Sequence, residues 1–83
     1  MEGDLQRIVG RNLRAFREAR GLSQEAFAEV LGVHRTYMGG VERGERNLTL
    51  KSVERLAGRI EVDPLSLLVS EDEGSAADRA ELR

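Results

Sequence analysis

The chain has 83 residues, enough for one domain with a small core. It contains no cysteine, which excludes disulfides, thiolate metal sites and cysteine nucleophiles. The formal net charge is -2, so the total charge does not indicate nucleic-acid binding. The longest apolar runs are three residues, as at 67–69, and the N-terminus has no apolar signal-peptide core. A cytoplasmic protein with no membrane segment is therefore expected.

The charges are unevenly distributed along the chain. Residues 71–83 carry five acidic and two basic side chains, a net of -3, which leaves eleven basic and ten acidic side chains, a net of +1, on residues 1–70. Twelve of the thirteen cations are arginine, which suits forked contacts to phosphate and guanine, although genomic base composition explains the same excess. We expect a domain over residues 1–70 and an acidic, disordered tail over residues 71–83.

The first two predicted elements are helices with clear ends. Apolar spacing predicts a helix over about residues 5–20, with Asp4 as its cap and Gly21 as its stop. A second helix is predicted over residues 24–31, with Ser23 as its N-cap. Helical rather than alternating spacing of the apolar residues favours an all-α fold.

Three further helices are predicted after the second. They cover about residues 35–43, residues 50–61 after the N-cap Thr49, and a short segment that begins at Pro64 after the cap Asp63. The apolar residues expected to face the core are Leu5, Ile8, Val9, Leu13 and Phe16, then Ala26, Phe27, Val30 and Leu31, then Tyr37, Met38 and Val41, then Leu50, Val53, Leu56, Ala57 and Ile60. The apolar residues of the last segment are Leu65, Leu68 and Val69.

The second and third predicted helices are separated only by residues 32–34, which begin with a glycine. A tight glycine turn sets two short helices at a steep angle, which is the helix-turn-helix arrangement. The second helix of such a pair can lie in the major groove of DNA, with its N-terminal residues at the base edges. The pattern therefore predicts a DNA-binding surface on the helix at residues 35–43.

Residues 22–47, LSQEAFAEVLGVHRTYMGGVERGERN, resemble the Xre family, the class of the lambda repressor, Cro and many stand-alone bacterial regulators. The resemblance covers about residues 8–69 and rests on LSQE at the second helix, a glycine turn and an ERGERN exit. The HRTY…ERGERN motif and the short chain are most similar to those of restriction-modification controller proteins. The resemblance implies a five-helix lambda-repressor-like domain that binds double-stranded DNA at a pseudo-palindromic operator as a homodimer.

The resemblance also assigns residues to two kinds of DNA contact. The positions that it implies for base reading are Arg35, Thr36, Gly39 and Gly40. The positions that it implies for the DNA backbone are Gln24, His34, Tyr37, Arg43, Arg46, Asn47 and Lys51. Two glycines inside the recognition helix cost about 1 kcal/mol each relative to alanine and supply no side chain, so more of the readout is expected from the other two positions and from DNA shape.

Several of these residues have an alternative interpretation. His34 can cap or flank the recognition helix, and Tyr37 can be half-buried with its hydroxyl in water. Arg17 and Glu42 form either an ordinary exposed pair or the structural salt bridge that the resemblance implies, which we favour. The arginines of the first helix are expected on a solvated face, with Arg11 or Arg14 as further phosphate contacts.

The last helical segment has two interpretations. Leu65, Leu68 and Val69 can complete the core, but so many large apolar groups on so short a segment favour a dimer seam as well. One histidine without cysteine makes no metal site, and neither a metal nor a cofactor is expected. Ser23 is a cap without a base beside it, so an enzyme is not expected.

Two other functions remain open from the sequence. The chain could be the antitoxin of a toxin–antitoxin pair, with residues 71–83 as the only unassigned surface. It could instead be a protein-interaction module on the same fold. The acidic total and the double glycine favour the interaction module, whereas Gln24, Arg35 and the ERGERN exit oppose it.

Overall fold

The structure is a computed structural model, and it describes residues 3–70; the predicted acidic tail lies outside the described residues. This part of the chain forms four α-helices and no strand: α1 (Asp4–Ala19), α2 (Gln24–Leu31), α3 (Arg35–Glu42) and α4 (Leu50–Arg59). The all-α prediction is confirmed for these residues. None of their helices is long and apolar enough to cross a membrane.

The fifth helical segment, Pro64–Leu68, is a 3-10 helix rather than the predicted α-helix. The side-chain carboxylate of Asp63 accepts a hydrogen bond from the Leu65 N–H at 3.0 Å, and the backbone oxygen of Asp63 accepts one from the Ser66 N–H at 2.8 Å. Five residues that begin with proline have too few N–H groups for a ladder of i to i+4 bonds, so the tighter i to i+3 winding is used. The count of five α-helices is therefore corrected to four among residues 3–70.

Side-chain caps begin three of the α-helices. The oxygen of Ser23 accepts from the Ala26 N–H at 3.0 Å, and that of Thr49 accepts from the Ser52 N–H at 3.0 Å, both as predicted. The cap of α3 is His34. The predicted cap Asp4 is wrong, because Asp4 is already inside α1 and the capping position belongs to Gly3.

The C-terminal ends of α1 and α4 use the same backbone motif with different residues. At α1, Gly21 has φ 68° and its N–H donates to Glu18, while the Leu22 N–H donates to Arg17. At α4 the left-handed residue is Glu61, with φ 58°, and the Val62 N–H donates to Ala57. This Schellman closure ends α4 at Arg59, two residues before the predicted end.

The core combines residues from every helix. Its buried apolar members are Val9, Leu13, Phe27, Ala28, Leu31, Met38, Val41, Val53, Leu56, Ala57 and Leu67. The ring of Phe16 stacks on that of Phe27 with centroids 5.8 Å apart. Three residues predicted to face the core are instead exposed: Leu5, Val30 and Leu50. Each of the three lies at or next to an end of its helix.

One glycine sets the distance between α1 and α3. A Cβ built on Gly10 would overlap the backbone oxygen of Val41 and lie 2.9 Å from that of Glu42. No side chain fits at this crossing, because backbone atoms cannot move aside as a flexible side chain can. Gly10 therefore allows α1 to support the C-terminal end of α3 directly.

Candidate nucleic-acid interface

α2 and α3 form a rigid helix-turn-helix unit. Each has eight residues, and they pack on each other through buried side chains. Gly32 ends α2 with φ 73°, and the Val33 N–H donates to the Ala28 oxygen at 3.0 Å. The turn therefore leaves α3 with one buried face and one outward face, on which Arg35 and Thr36 are exposed.

His34 begins the recognition helix as its N-cap. Its Nδ1 accepts a hydrogen bond from the Thr36 N–H at 3.1 Å. The next aromatic residue, Tyr37, is half-buried against the core, and the guanidinium of Arg46 lies 5.2 Å from its ring centroid. The cap and the packed tyrosine fix the first turn of α3, which carries two of the predicted base-reading residues, Arg35 and Thr36.

Glu42 joins three parts of the fold at the end of α3. One of its oxygens accepts from Arg17 Nε at 2.7 Å, and the other accepts from Arg17 Nη2 at 3.1 Å and from Gln24 Nε2 at 3.0 Å. The Arg17 and Glu42 side chains are 14% and 3% exposed. The hydrogen bond to Glu42 raises the pKa of Arg17 above its ordinary value, although burial acts in the opposite direction. The pair is a buried structural bridge rather than an exposed contact.

An open depression lies where the start of α2 meets α3. Gln24, Arg35, Thr36, Gly39 and Arg43 line it, and we call it the α2–α3 pocket. The N-terminus of α2 carries unpaired backbone N–H groups and positive partial charge, and two guanidinium groups stand beside it. This combination has the chemistry of an anion site, for which DNA phosphate is a natural ligand.

The exit from α3 is held against α1. Gly44 adopts φ 75° beside Arg7, and a Cβ at Gly44 would lie 2.7 Å from the Arg7 Cγ. The side-chain amide of Gln6 donates to the Arg46 backbone oxygen and, at 3.1 Å, to Oδ1 of Asn47. Gln6 is a site residue that the sequence analysis missed, because its partners lie about forty residues away and no local pattern marks the pairing.

Arginines lie over both glycines of the recognition helix. A Cβ on Gly39 would lie 3.2 Å from Nη1 of Arg43, and a Cβ on Gly40 would lie 3.0 Å from Nε of Arg46. Both glycines are buried. Long side chains from the exit loop therefore occupy the space beside these two predicted base-reading positions.

The basic surface extends onto α1. Arg7, Arg11 and Arg14 line an open groove together with Arg43. Arg7 pairs with Asp4, Arg14 pairs with Glu18 at 3.0 Å, and Arg43 pairs with Glu45 at 3.0 Å. Lys51, predicted as a backbone contact, is exposed in the first turn of α4. Arg43 is therefore shared between the α2–α3 pocket and the arginine-lined groove on α1.

Several large apolar side chains lie at the surface of the domain. Leu5, Leu50, Leu65 and Val69 are respectively 56%, 73%, 67% and 43% exposed. Leu68 is half-buried and lines a groove beside Leu5 and Leu50. Asn12 fixes the end of the 3-10 helix to α1, because its amide donates to the backbone oxygens of Leu67 and Val69 at 2.8 and 3.0 Å. We call these exposed residues, with Leu68, the apolar face.

Residues 13–67 match the helix-turn-helix family (HTH_3), and the chain belongs to that family. The chain is 45% identical over 65 residues to the control protein C.SmaI of Serratia marcescens, with 78% of this chain and 77% of that protein covered.

Two solved structures of controller proteins are also similar. The restriction-modification controller protein C.AhdI from Aeromonas hydrophila matches with a TM-score of 0.66 and 44% identity, over 75% of this chain and 94% of that chain. The structure of C.Esp1396I bound to a 25 base pair operator site matches with a TM-score of 0.63 and 35% identity, over 76% of this chain and 83% of that chain.

Proposed function

We propose that the chain is a sequence-specific, double-stranded DNA-binding transcriptional regulator of the restriction-modification controller type. The observation that carries the proposal is the α2–α3 pocket, where Arg35, Thr36 and Arg43 stand beside the N-terminus of α2. The likeness to C.SmaI and to operator-bound C.Esp1396I supports the same function. The proposed protein binds DNA in the cytoplasm and catalyses no reaction.

Within this function the residues divide into positioning and reading groups. Arg43, Lys51 and the start of α2 at Gln24 hold phosphates, which gives salt-sensitive affinity without sequence information. Arg35 and Thr36 lie on the first turn of α3 and meet base edges, where arginine suits guanine O6 and N7 and threonine suits several bases. The cap His34 holds this turn in place.

The proposed regulator is a homodimer that joins through the apolar face. Leu65, Leu68 and Val69 were predicted at this seam, and exposed Leu5 and Leu50 enlarge it. Covering these side chains removes apolar surface from water, which is the main driving force of such association. A symmetric dimer sets its two recognition helices roughly 34 Å apart, one helical turn of DNA, and so reads a pseudo-palindrome.

The test is selection of duplexes from a random-sequence pool by the wild-type protein, followed by titration of the selected duplex at two salt concentrations. We expect a pseudo-palindromic sequence, binding that weakens with salt, and a dimer by light scattering. Arg35→Ala should lose roughly ten- to a hundred-fold in discrimination and keep its non-specific binding. A wild-type protein that selects no sequence would contradict the proposal and favour a protein-interaction module.

A further inference from the structure

The side-chain amide of Gln6, in the first turn of α1, reaches the exit loop at residues 46 and 47. Its Nε2 donates to the backbone oxygen of Arg46 and, at 3.1 Å, to Oδ1 of Asn47. A backbone carbonyl oxygen only accepts hydrogen bonds, so the nitrogen of the Gln6 amide, and not its oxygen, must face the loop. The carbonyl of Arg46 therefore fixes which way the Gln6 amide is turned.

The orientation of Gln6 in turn fixes the amide of Asn47. The Gln6 nitrogen donates through two N–H groups and accepts nothing, so it requires the oxygen of Asn47 as its partner. Asn47 is an exposed residue, and its other polar side-chain atom, Nδ2, also carries two N–H groups. The hydrogen bonds of Gln6 therefore present the donor of Asn47, rather than its acceptor, to a ligand.

A donor at this position suits a phosphate. Phosphate oxygens accept hydrogen bonds, and asparagine is among the side chains that donate to them in protein–DNA complexes. Arg46 directly precedes Asn47, and exposed Lys51 lies in the first turn of α4, so the surroundings favour an anion. The reversed amide would instead set a carbonyl oxygen against the phosphate, which is repulsive.

Other contacts hold the exit loop against α1 when the Gln6 amide is changed. Gly44 packs on Arg7, where a Cβ would lie 3.1 Å from the Arg7 Cα. One turn further along α1, a Cβ on Gly10 would overlap the backbone oxygen of Val41. The course of the loop backbone is therefore expected to survive a substitution of Gln6, so the orientation of the Asn47 amide can be tested separately.

We propose that Gln6 is a positioning residue for DNA binding, which turns the Asn47 amide so that Nδ2 donates to a phosphate of the DNA backbone. Gln6 makes no contact with DNA in this arrangement and acts only through Asn47. The inference rests on the proposed function, because its ligand is DNA held against α3 and the exit loop. It adds to the predicted phosphate contact of Asn47 the residue that determines which end of that amide is used.

The first test is a double-mutant cycle on the duplex that the wild-type protein selects. Gln6→Met keeps an unbranched side chain that favours a helix and removes the amide. Asn47→Ala removes the phosphate donor and should weaken binding roughly ten-fold or more. Gln6→Met should weaken binding several-fold in the wild-type chain and leave it unchanged in the Asn47→Ala chain, which is the coupling expected of residues that act as a unit.

Lys51→Ala supplies the matched cycle, because Lys51 is a predicted phosphate contact on α4, outside the hydrogen bonds of Gln6. Its effect should add to that of Gln6→Met without coupling. Lys51→Ala should also reduce the slope of log affinity against log salt by about one for each lysine lost. Gln6→Met removes no charge, so it should leave that slope unchanged.

The second test follows the Asn47 amide itself by nuclear magnetic resonance. The Nδ2 proton signals of isotope-labelled protein, assigned by their loss in Asn47→Ala, are measured with and without the selected duplex. The duplex should slow the exchange of these protons with water in the wild type, and this protection should be absent from Gln6→Met. Melting curves check that Gln6→Met is folded, and the wild-type measurement stands whether or not it folds.

The outcomes separate this inference from the function on which it rests. If Gln6→Met binds as tightly as the wild type, or loses as much affinity in the Asn47→Ala chain as in the wild-type chain, the inference is wrong. Asn47 protons that the duplex does not protect would overturn it as well. In each case the wild-type protein still binds its selected duplex, so the proposed function stands. A wild-type protein that selects no duplex removes the proposed function and this inference together.

Discussion

Gln24, the first residue of α2, donates a hydrogen bond of 3.0 Å to Glu42, the last residue of α3. The same carboxylate receives two hydrogen bonds from Arg17 of α1. The predicted phosphate contact at the start of α2 is therefore tied to the far end of the recognition helix through a buried charge. This hydrogen bond adds a polar constraint to the apolar contacts that hold α2 and α3 together.

Arg17→Ala should reduce the free energy of unfolding by about 3 kcal/mol, because it leaves the nearly buried carboxylate of Glu42 without its cation. Urea unfolding measures this change. Arg14→Ala is the matched control, since it breaks an exposed pair with Glu18 that is worth about 0.5 kcal/mol or less. Equal effects of the two substitutions would mean that the Arg17–Glu42 bridge adds nothing beyond a surface contact.

Gly10→Ala should destabilise the fold by about 2 kcal/mol or more, since its Cβ meets backbone oxygens of α3 that cannot move aside. Thermal melts of Gly10→Ala and Gly58→Ala make the comparison. Both substitutions favour the helix by about 1 kcal/mol, but only the first creates a clash. A stabilised Gly10→Ala protein would show that α1 and α3 are not in this close contact.

Glu61→Gly should stabilise the protein by about 1 kcal/mol. Glu61 ends α4 in the left-handed conformation, which costs an L-residue roughly 1–2 kcal/mol and costs glycine little, apart from its greater flexibility when unfolded. Chemical unfolding tests the prediction, with Glu54→Gly in the interior of α4 as a control that should destabilise instead. A loss of stability in Glu61→Gly would argue against the Schellman closure of α4.

Leu65→Arg should convert the proposed dimer to a folded monomer. The Leu65 side chain is 67% exposed in the single chain, so the substitution places a charge in the proposed dimer seam and removes no core contact. Light scattering and melting curves at several protein concentrations report the change. Val30→Arg, at another exposed apolar residue, should leave the assembly intact. A wild-type protein that is monomeric at micromolar concentration would show that the seam is wrong.

The sequence predicted α2, the turn and the start of α3 well, because their signals are local. Serine has a side-chain oxygen that can cap a helix, so Ser23 marks the start of α2. Glycine readily adopts the left-handed conformation that ends a helix, so Gly32 marks its end. The last segment was predicted less well. The sequence analysis singled out Leu65, Leu68 and Val69 and left out Leu67, but the 3-10 winding turns Leu67 into the core and leaves Leu65 exposed.

The sequence predicted which residues lie near the candidate site but not how they contact one another. The motif placed Arg35, Thr36 and the exit loop on one surface, which depends only on their order along the chain. The bond from Gln6 to Asn47 and the arginines over Gly39 and Gly40 depend on how α1 meets the loop. Nothing in a periodic pattern specifies a contact between residues so distant in the sequence.

Three arginines of the basic surface already have a carboxylate partner: Arg7 with Asp4, Arg14 with Glu18 and Arg43 with Glu45. When a phosphate replaces such a partner, the released carboxylate recruits a cation from solution, which offsets the counterion that leaves the DNA. The slope of log affinity against log salt should therefore be shallower than the usual 0.9 per phosphate contact. A protein whose arginines are paired with carboxylates therefore loses less of its DNA affinity as ionic strength rises than a protein whose arginines have no such partner.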